Sequence, residues 1–338
     1  MESPQVSTQF GVSLRYEKPK KSCLITGISG QDGSILAEQM VNKGYEVHGI
    51  IRRSSTPNLS NLSNLDNITL HYGDLCDDSI PTLINELQPY MLFLLGAQSD
   101  VRISFDIPEY TCDVDGIGVL RCLEAVRNFS PYTKVYCANS SEQFGNALPP
   151  QNEDTVMIPQ SPYAAAKLFA YNLCNLYRKS YGLYICCGIL FNHEQPGKRG
   201  ENFVTRKITK AIANIKSGKQ NKLYLGNLDA KRDWGLASEY CEAMYLMMRQ
   251  NLSDNYVIAT GEAHTVKEFL EIAFEYAELD WHQYVEIDQD LYRPSEVNYL
   301  LGDASKAKRV LSWEPKTKFT ELVKLMVDFD LRNSIAVE

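Results

Sequence analysis

No stretch of this 338-residue chain approaches the roughly 20 consecutive apolar residues that cross a bilayer, so no spanning helix is expected. Residues 1–20 carry Glu2, Glu17 and polar side chains but no apolar run. A signal peptide is therefore not expected, residues 1–20 read as a mobile N-terminal arm, and the chain reads as cytoplasmic. Cys-x-x-Cys pairs are also missing. The nine cysteines are odd in number, and most lie in apolar runs such as residues 183–190. That pattern fits small core residues in a reducing compartment rather than disulfides or metal ligands. The five histidines (48, 71, 193, 264 and 282) show no ligand spacing, so no metal is expected. Positive charge is in deficit: a net charge of −8 removes any bulk attraction to nucleic acid. It does not exclude an anionic small molecule, for which a local Arg/Lys cluster suffices. Repeats and low-complexity segments are absent too.

What remains is an ordinary globular composition, long enough to bury a large core. Short apolar runs at residues 22–28, 46–52, 68–74, 91–98, 134–141 and 183–191 predict strands. Helical periodicity at 33–43, 79–87, 110–129 and 161–181 predicts helices between them. Near-continuous apolar strands alternating with helices argue for a parallel, doubly wound α/β sheet of Rossmann type. After residue 192 the pattern loosens into turns, a helix near 204–217 and shorter elements, as expected of a smaller C-terminal substrate-binding cap. The division is therefore 21–191 for the dinucleotide-binding core and 192–338 mainly for the cap, with strands returning to the core. Residues 54–67 read as the main loop-like insertion.

Gly27-Ile28-Ser29-Gly30-Gln31-Asp32-Gly33 joins the first strand to the first helix. Its glycines allow a tight turn and close backbone approach to a pyrophosphate at the helix N-terminus. After the second strand, where an acid would bind the NAD ribose, the chain reads Arg52-Arg53-Ser54-Ser55. Guanidinium groups there favour a 2′-phosphate, hence NADP. Gly73-Asp74-Leu75 and Leu95-Gly96-Ala97-Gln98 end strands three and four, where adenine and the nicotinamide ribose are expected.

The chemistry-bearing pair is Ser140-Ser141-Glu142 followed by Tyr163-Ala164-Ala165-Ala166-Lys167. Tyr-x-x-x-Lys at a helix start puts the ammonium one turn from the phenol, where it favours phenolate. A nicotinamide enzyme oxidising an alcohol uses such a base with a hydroxyl, usually from Ser or Thr, and here the serines are followed at once by a carboxylate. Simple hydride transfer gives Glu142 no task. Removing the proton beside a newly made ketone does, and one carboxylate can also protonate the departing hydroxyl. The constellation thus points to a dehydratase working through an internal redox cycle. Basic residues beside later turns (Lys198-Arg199, Arg206-Lys207, Lys231-Arg232 and Arg293 with Glu296) suit a diphosphate and its sugar. Asn192-His193 follows the last core strand and can face substrate or nicotinamide.

These residues closely resemble the GDP-mannose 4,6-dehydratase family, in the extended short-chain dehydrogenase/reductase group. The likeness runs from about Lys20 to Leu331, most specifically at 26–33 (TGISGQDG), 49–55 (GIIRRSS), 188–193 (GILFNH), 200–208 (GENFVTRKI), 225–234 (LGNLDAKRDW) and 292–296 (YRPSE). The resemblance implies a redox-neutral, NADP-dependent conversion of GDP-mannose to GDP-4-keto-6-deoxy-mannose. It implies catalysis by Ser140, Glu142, Tyr163 and Lys167. It implies NADP held by Gly27, Ile28, Ser29, Gly30, Gln31, Asp32, Arg52, Arg53, Ser54, Ser55, Asp74, Leu75, Leu95, Gly96, Ala97, Gln98, Ser99, Tyr110, Tyr163, Lys167, His193 and Arg199. It implies substrate contacts from Asn192, Val204, Lys207, Arg232, Arg293 and Glu296. The chain departs from the family in carrying Ser140 where Thr is usual, and in one extra residue at Gly197-Lys198-Arg199.

The rival readings are a nucleotide-sugar epimerase or reductase on the same scaffold and a non-catalytic NADP-binding sensor. Glu142 argues against the first, and the intact Tyr163/Lys167 pair against the second. Surplus apolar residues on helix 161–181 (Leu168, Phe169, Tyr171, Leu173, Leu176, Tyr177) suggest a homodimer through the two long helices. The polar segment 53–60 suggests a homotetramer.

Overall fold

The computed structural model describes residues 21–63 and 66–335; the expected N-terminal arm lies outside the described residues. The first half alternates strand and helix: β1 (Ser22–Thr26), α1 (Gln31–Asn42), β2 (Glu46–Ile51), β3 (Ile68–Tyr72), α2 (Ser79–Leu87) and β4 (Met91–Leu94). It continues through α3 (Val101–Asp106), α4 (Pro108–Cys112), a π-turn (Asp113–Ile117), α5 (Gly118–Phe129), β5 (Lys134–Ser140), α6 (Pro162–Tyr181) and β6 (Ile185–Leu190). The second half holds β7 (Asn192–Glu194), α7 (Val204–Lys216), β8 (Leu223–Leu225), β9 (Lys231–Leu236), α8 (Ala237–Met248) and β10 (Asn255–Ile258). It closes with β11 (Ala263–Thr265), α9 (Val266–Tyr276), β12 (Val285–Ile287), α10 (Ser305–Leu311) and α11 (Phe319–Ile335).

Seven parallel strands form the main sheet in the order β10-β6-β5-β4-β1-β2-β3. The order of strand addition reverses between β1 and β4, and a crevice opens there at the carboxyl ends of the strands. Except at the edge strand β3, both faces are covered, which explains the continuous apolar runs. Ile35, Leu36 and Met40 of α1 pack with Tyr240, Met244 and Met247 of α8 on one face. Leu83 of α2, Leu123 and Val126 of α5, and Ala170 and Cys174 of α6 cover the other. Seven of the nine cysteines are buried and all are free thiols.

A second cluster joins α7, α9 and α11 through Ile208, Ile212, Phe269, Phe274, Leu322 and Met326. Short strands flank it, in a β11-β9-β7 sheet and a β12-β8 pair. The chain does not remain there, since β10 returns to the main sheet. Among the described residues no helix is long and apolar enough to cross a membrane.

The helix expected at 110–129 is broken by the π-turn into α4 and α5. Apolar spacing does not distinguish a single wide turn from regular helix, so only the backbone shows it. The insertion at 54–67 contains one 3-10 turn, Ser60–Leu62. Asn61 ties that turn down, its Nδ2 donating to the Ser29 carbonyl at 3.1 Å and the Lys198 carbonyl at 3.4 Å.

Candidate active site

The cleft begins at the glycine turn. Gly27 takes φ +68°, and a Cβ there would lie 2.9 Å from the Gly96 backbone. A Cβ on Gly33 would meet the Gly27 carbonyl at 2.2 Å, so α1 can pack on β1 only with glycine at that position. The free N–H groups at the start of α1 face the cleft, an arrangement that suits a dinucleotide pyrophosphate. Gln31 ties α1 to β7: Nε2 donates to the His193 carbonyl at 3.1 Å, and Oε1 accepts from Gln195 N at 2.8 Å.

Of the residues named from sequence, Gly27, Ser29–Asp32, Arg52, Asp74, Leu75, Leu95–Ala97, Ser99, Tyr110, His193 and Arg199 line one continuous cleft of about 710 Å³. Four others do not. Ile28 is fully buried behind the turn, where its Cδ1 fills the space above Gly49. Arg53 stacks over the Tyr72 ring at 4.6 Å and lines a shallow neighbouring hollow. Ser54 and Ser55 lie exposed outside the cleft. Gln98 is also outside; its N–H donates to Asp115 Oδ1 at 2.7 Å. Arg52, by contrast, enters the cleft and donates to Tyr110 Oη at 2.5 Å.

His193 is committed on both nitrogens. Nδ1 lies 2.7 Å from the Phe191 carbonyl and Nε2 2.9 Å from Asp32 Oδ2, while the ring stacks on Tyr240 at 4.7 Å. Burial alone would lower the imidazole, but Asp32 more than offsets this and holds it above its ordinary value. Burial pushes the Asp32 carboxyl up; His193, chiefly, brings it below the usual range. Arg199 forms a 2.9 Å ion pair with the fully buried Glu194 and lies over the Phe203 ring.

The chemistry-bearing groups sit at the end of β5 and the start of α6. Ser161 caps α6, accepting from Ala164 N at 3.1 Å, and Pro162 opens it. Tyr163 therefore projects from the first turn, with Lys167 one turn further on. Lys167 donates to the Ala138 carbonyl at 3.1 Å, and its Nζ lies 5.8 Å from the Tyr163 ring centre. Burial raises the phenol above its ordinary value, and Lys167 and the Ser140 hydroxyl pull it back only in part. The activation expected from the lysine is thus outweighed by desolvation in the protein alone.

Ser140 caps a 3-10 turn (Ser141–Phe144), accepting from Glu142 N at 3.2 Å, while Gln143 Oε1 accepts from Ser140 N at 2.9 Å. This box fixes Glu142, nine-tenths buried, in the same cleft as Tyr163. Two guanidiniums from the cap converge on Glu142 Oε1, Arg293 Nη1 at 3.4 Å and Arg232 Nη2 at 3.6 Å. Arg232 is fixed by the Val297 and Lys231 carbonyls at 2.7 and 3.0 Å. Arg293 also reaches Glu296 Oε1 at 3.6 Å, and Asn227 donates to Glu296 Oε2 at 3.3 Å. Asn192, Val204 and Lys207 line the same wall. Sequence reasoning missed Asn227, and also the Asp100–Asn202 pair, whose 2.7 Å bond joins the β4 loop to the cap across the cleft mouth. Their contacts span tens of residues, and each reads in sequence as a solvated turn residue.

The comparisons with known proteins agree with this geometry. The family described as GDP-mannose 4,6 dehydratase matches residues 24–326. GDP-mannose 4,6 dehydratase 1 of Arabidopsis thaliana is 53% identical over 328 residues, covering 93% of this chain and 91% of that protein. The Homo sapiens GDP-mannose 4,6 dehydratase is 47% identical over 344 residues, covering 93% and 92%. Among solved structures, dTDP-glucose 4,6-dehydratase of Bacillus anthracis in complex with NAD superposes with a TM-score of 0.80 at 21% identity, covering 93% and 97%, a likeness of fold. The chain belongs to the GDP-mannose 4,6-dehydratase family.

Proposed function

We infer that the cleft binds NADP and GDP-mannose and releases GDP-4-keto-6-deoxy-mannose and water. The observation that carries this reading is Glu142, a buried carboxylate in the cleft of the Ser140/Tyr163/Lys167 group, met by two cap guanidiniums. Family membership supports the substrate and the reaction. The core, 21–191, would hold the dinucleotide, and the cap, mainly 192–338, the nucleotide sugar.

NADP, when bound, supplies the acceptor and later the donor of one hydride and, while oxidised, a positive charge in the cleft. Tyr163 takes the proton of the C4 hydroxyl, and Ser140 holds that oxygen. Lys167 stabilises the phenolate. With C4 a ketone, Glu142 removes the acidified C5 proton and returns a proton to the departing C6 hydroxyl. Arg232 and Arg293 are suited to the diphosphate, Lys207 and Glu296 to the nucleoside. Arg52 at the end of β2, facing Tyr110, supports a preference for the 2′-phosphate of NADP. The exposed apolar residues of α5 and α6, among them Phe129, Phe169 and Leu176, support a homodimer through these helices, and loop 53–60 a homotetramer.

The test is isotopic. GDP-mannose deuterated at C4 should yield product labelled at C6 of the same molecule, with solvent deuterium at C5. A product of unchanged mass would mean an epimerase, and no product a binding protein.

A further inference from the structure

Asp115 and Asp233 are both fully buried and both are pushed up to about 6, chiefly by desolvation. Asp233 is fully provided for. Its oxygens accept from Thr260 N at 2.8 Å, Thr260 Oγ1 at 2.6 Å, Gly261 N at 2.9 Å and Gly302 N at 3.3 Å, so it staples three segments of the chain together. Asp115 is not. Oδ1 accepts one bond, from Gln98 N at 2.7 Å, and Oδ2 receives none from the protein. A buried carboxylate so poorly hydrogen-bonded needs a compensating charge.

That charge lies across the helix contact. Asp115 stands in the π-turn, which packs on α6 where Gly116 meets Phe169 and Ala166; a Cβ on Gly116 would come within 3.0 Å of the Phe169 ring. Lys167 follows Ala166 directly. Its ammonium is itself buried and has one protein acceptor, the Ala138 carbonyl. Carboxylate and ammonium make no direct ion pair, yet their fields meet through dry protein, where screening is weak. The titratable groups facing Asp115 are Lys167 and Tyr163 on α6 and Cys137 on β5. Burial alone would drive Lys167 towards its neutral form, and Asp115 is the foremost group opposing this.

We propose that Asp115, presented by the π-turn, is a positioning residue whose negative charge keeps the Lys167 ammonium ionised, and through it keeps Tyr163 usable as the base for C4 oxidation. This rests on the reaction inferred above.

The test is Asp115→Asn in the full-length, NADP-loaded enzyme, with kcat and KM for GDP-mannose measured across pH beside the wild type. Asn keeps the acceptor for Gln98 and removes only the charge. If Lys167 loses its proton, the limb of kcat that rises with pH should move upward by about one unit, roughly ten-fold in rate at neutral pH, with KM unchanged. A merely structural role would be rescued by Asn. A limb that stays in place or moves downward, as it would if Lys167 stayed charged and Tyr163 lost a nearby negative charge, overturns the proposal. Thermal unfolding decides independently. Lys167→Met should lower Tm by stranding the carboxylate, and adding Asp115→Asn should recover at least half of that loss. A double variant less stable than Lys167→Met alone overturns the proposal. A wild type that makes no keto sugar would refute the inferred reaction, while the unfolding comparison would still judge the charge pair.

Discussion

The two walls of the cleft solve the placement of reactive groups in different ways. On the core wall, Tyr163, Lys167 and Ser140 come from adjoining elements, the end of β5 and the first turns of α6; burial raises the Tyr163 phenol, while buried neighbours, Asp115 foremost, hold Lys167 above its ordinary value against burial. At the cap wall, guanidiniums from β9 and from the 292–296 turn, 90 and 151 residues beyond Glu142, converge on that core carboxylate. A buried environment is always present, whereas a guanidinium pair can be exchanged when an anionic substrate enters. The core wall is thus pre-set, whereas the cap wall would respond to an anionic ligand.

The strongest way to break this comparison is to disable each wall in turn. Tyr163→Phe should suppress C4 oxidation and everything after it, a loss of about a hundred- to ten-thousand-fold in kcat. Rapid-mixing absorbance of the reduced cofactor reads it directly, and should show no reduction phase. Glu142→Gln should cost a similar factor in product while leaving that first phase intact. Reduced cofactor should then accumulate without water loss by mass spectrometry. Should Glu142→Gln also abolish the reduction phase, the division of labour between the walls is wrong.

The cofactor end sharpens the contrast at smaller magnitude. Arg52 faces the cleft and Arg53 lies over Tyr72 outside it. Charge-assisted bonds to a phosphate are worth roughly 1.5–3 kcal/mol, about ten- to a hundred-fold in affinity. Arg52→Ala should erase most of the preference for NADP over NAD in titration calorimetry, and Arg53→Ala should leave most of it. Equal losses would place both guanidiniums on the phosphate.

The smallest effect concerns the His193–Asp32 pair. His193 is held above its ordinary value, so its stabilisation is present below about pH 6.5 and fades as pH rises through the folded-state value. Asp32 is held below its ordinary value, so its share is present above about pH 3.9 and is lost as pH falls through the folded-state value. The Tm difference between wild type and His193→Gln should therefore be largest between these limits and narrow above them. A difference that widened at alkaline pH would contradict the pairing.

How legible each wall was in the sequence follows from how it is built. Continuous apolar strands bounded by glycine revealed the sheet, and Ser161-Pro162 and Gly182 bracket α6 with its Tyr/Lys pair because those signals are local. The roles of Arg232, Arg293 and Glu296 became readable through family likeness, since nothing in their own neighbourhoods says that they converge on Glu142. Arg53 illustrates a limit of pattern. Adjacent residues leaving a strand point to opposite sides, so one of a pair of arginines turns away from the cleft. Asp115 carried a signal that was passed over, a carboxylate in line with the buried Thr111, Val114 and Cys122. A charge on the apolar stripe of a helix marks a site more reliably than one on its solvated face.

The reciprocal bond pair of Gln31 has a consequence for timing. This one amide fastens the start of α1 to β7 and the residue after it, beside the crevice suited to the pyrophosphate. A cofactor seated in that crevice would rest against a wall that this bridge holds in place. In a reaction that restores its own oxidant on every turnover, departure serves no purpose. Slow exchange would let one dinucleotide outlast many sugars, the cofactor behaving as a resident part of the enzyme rather than as a second substrate.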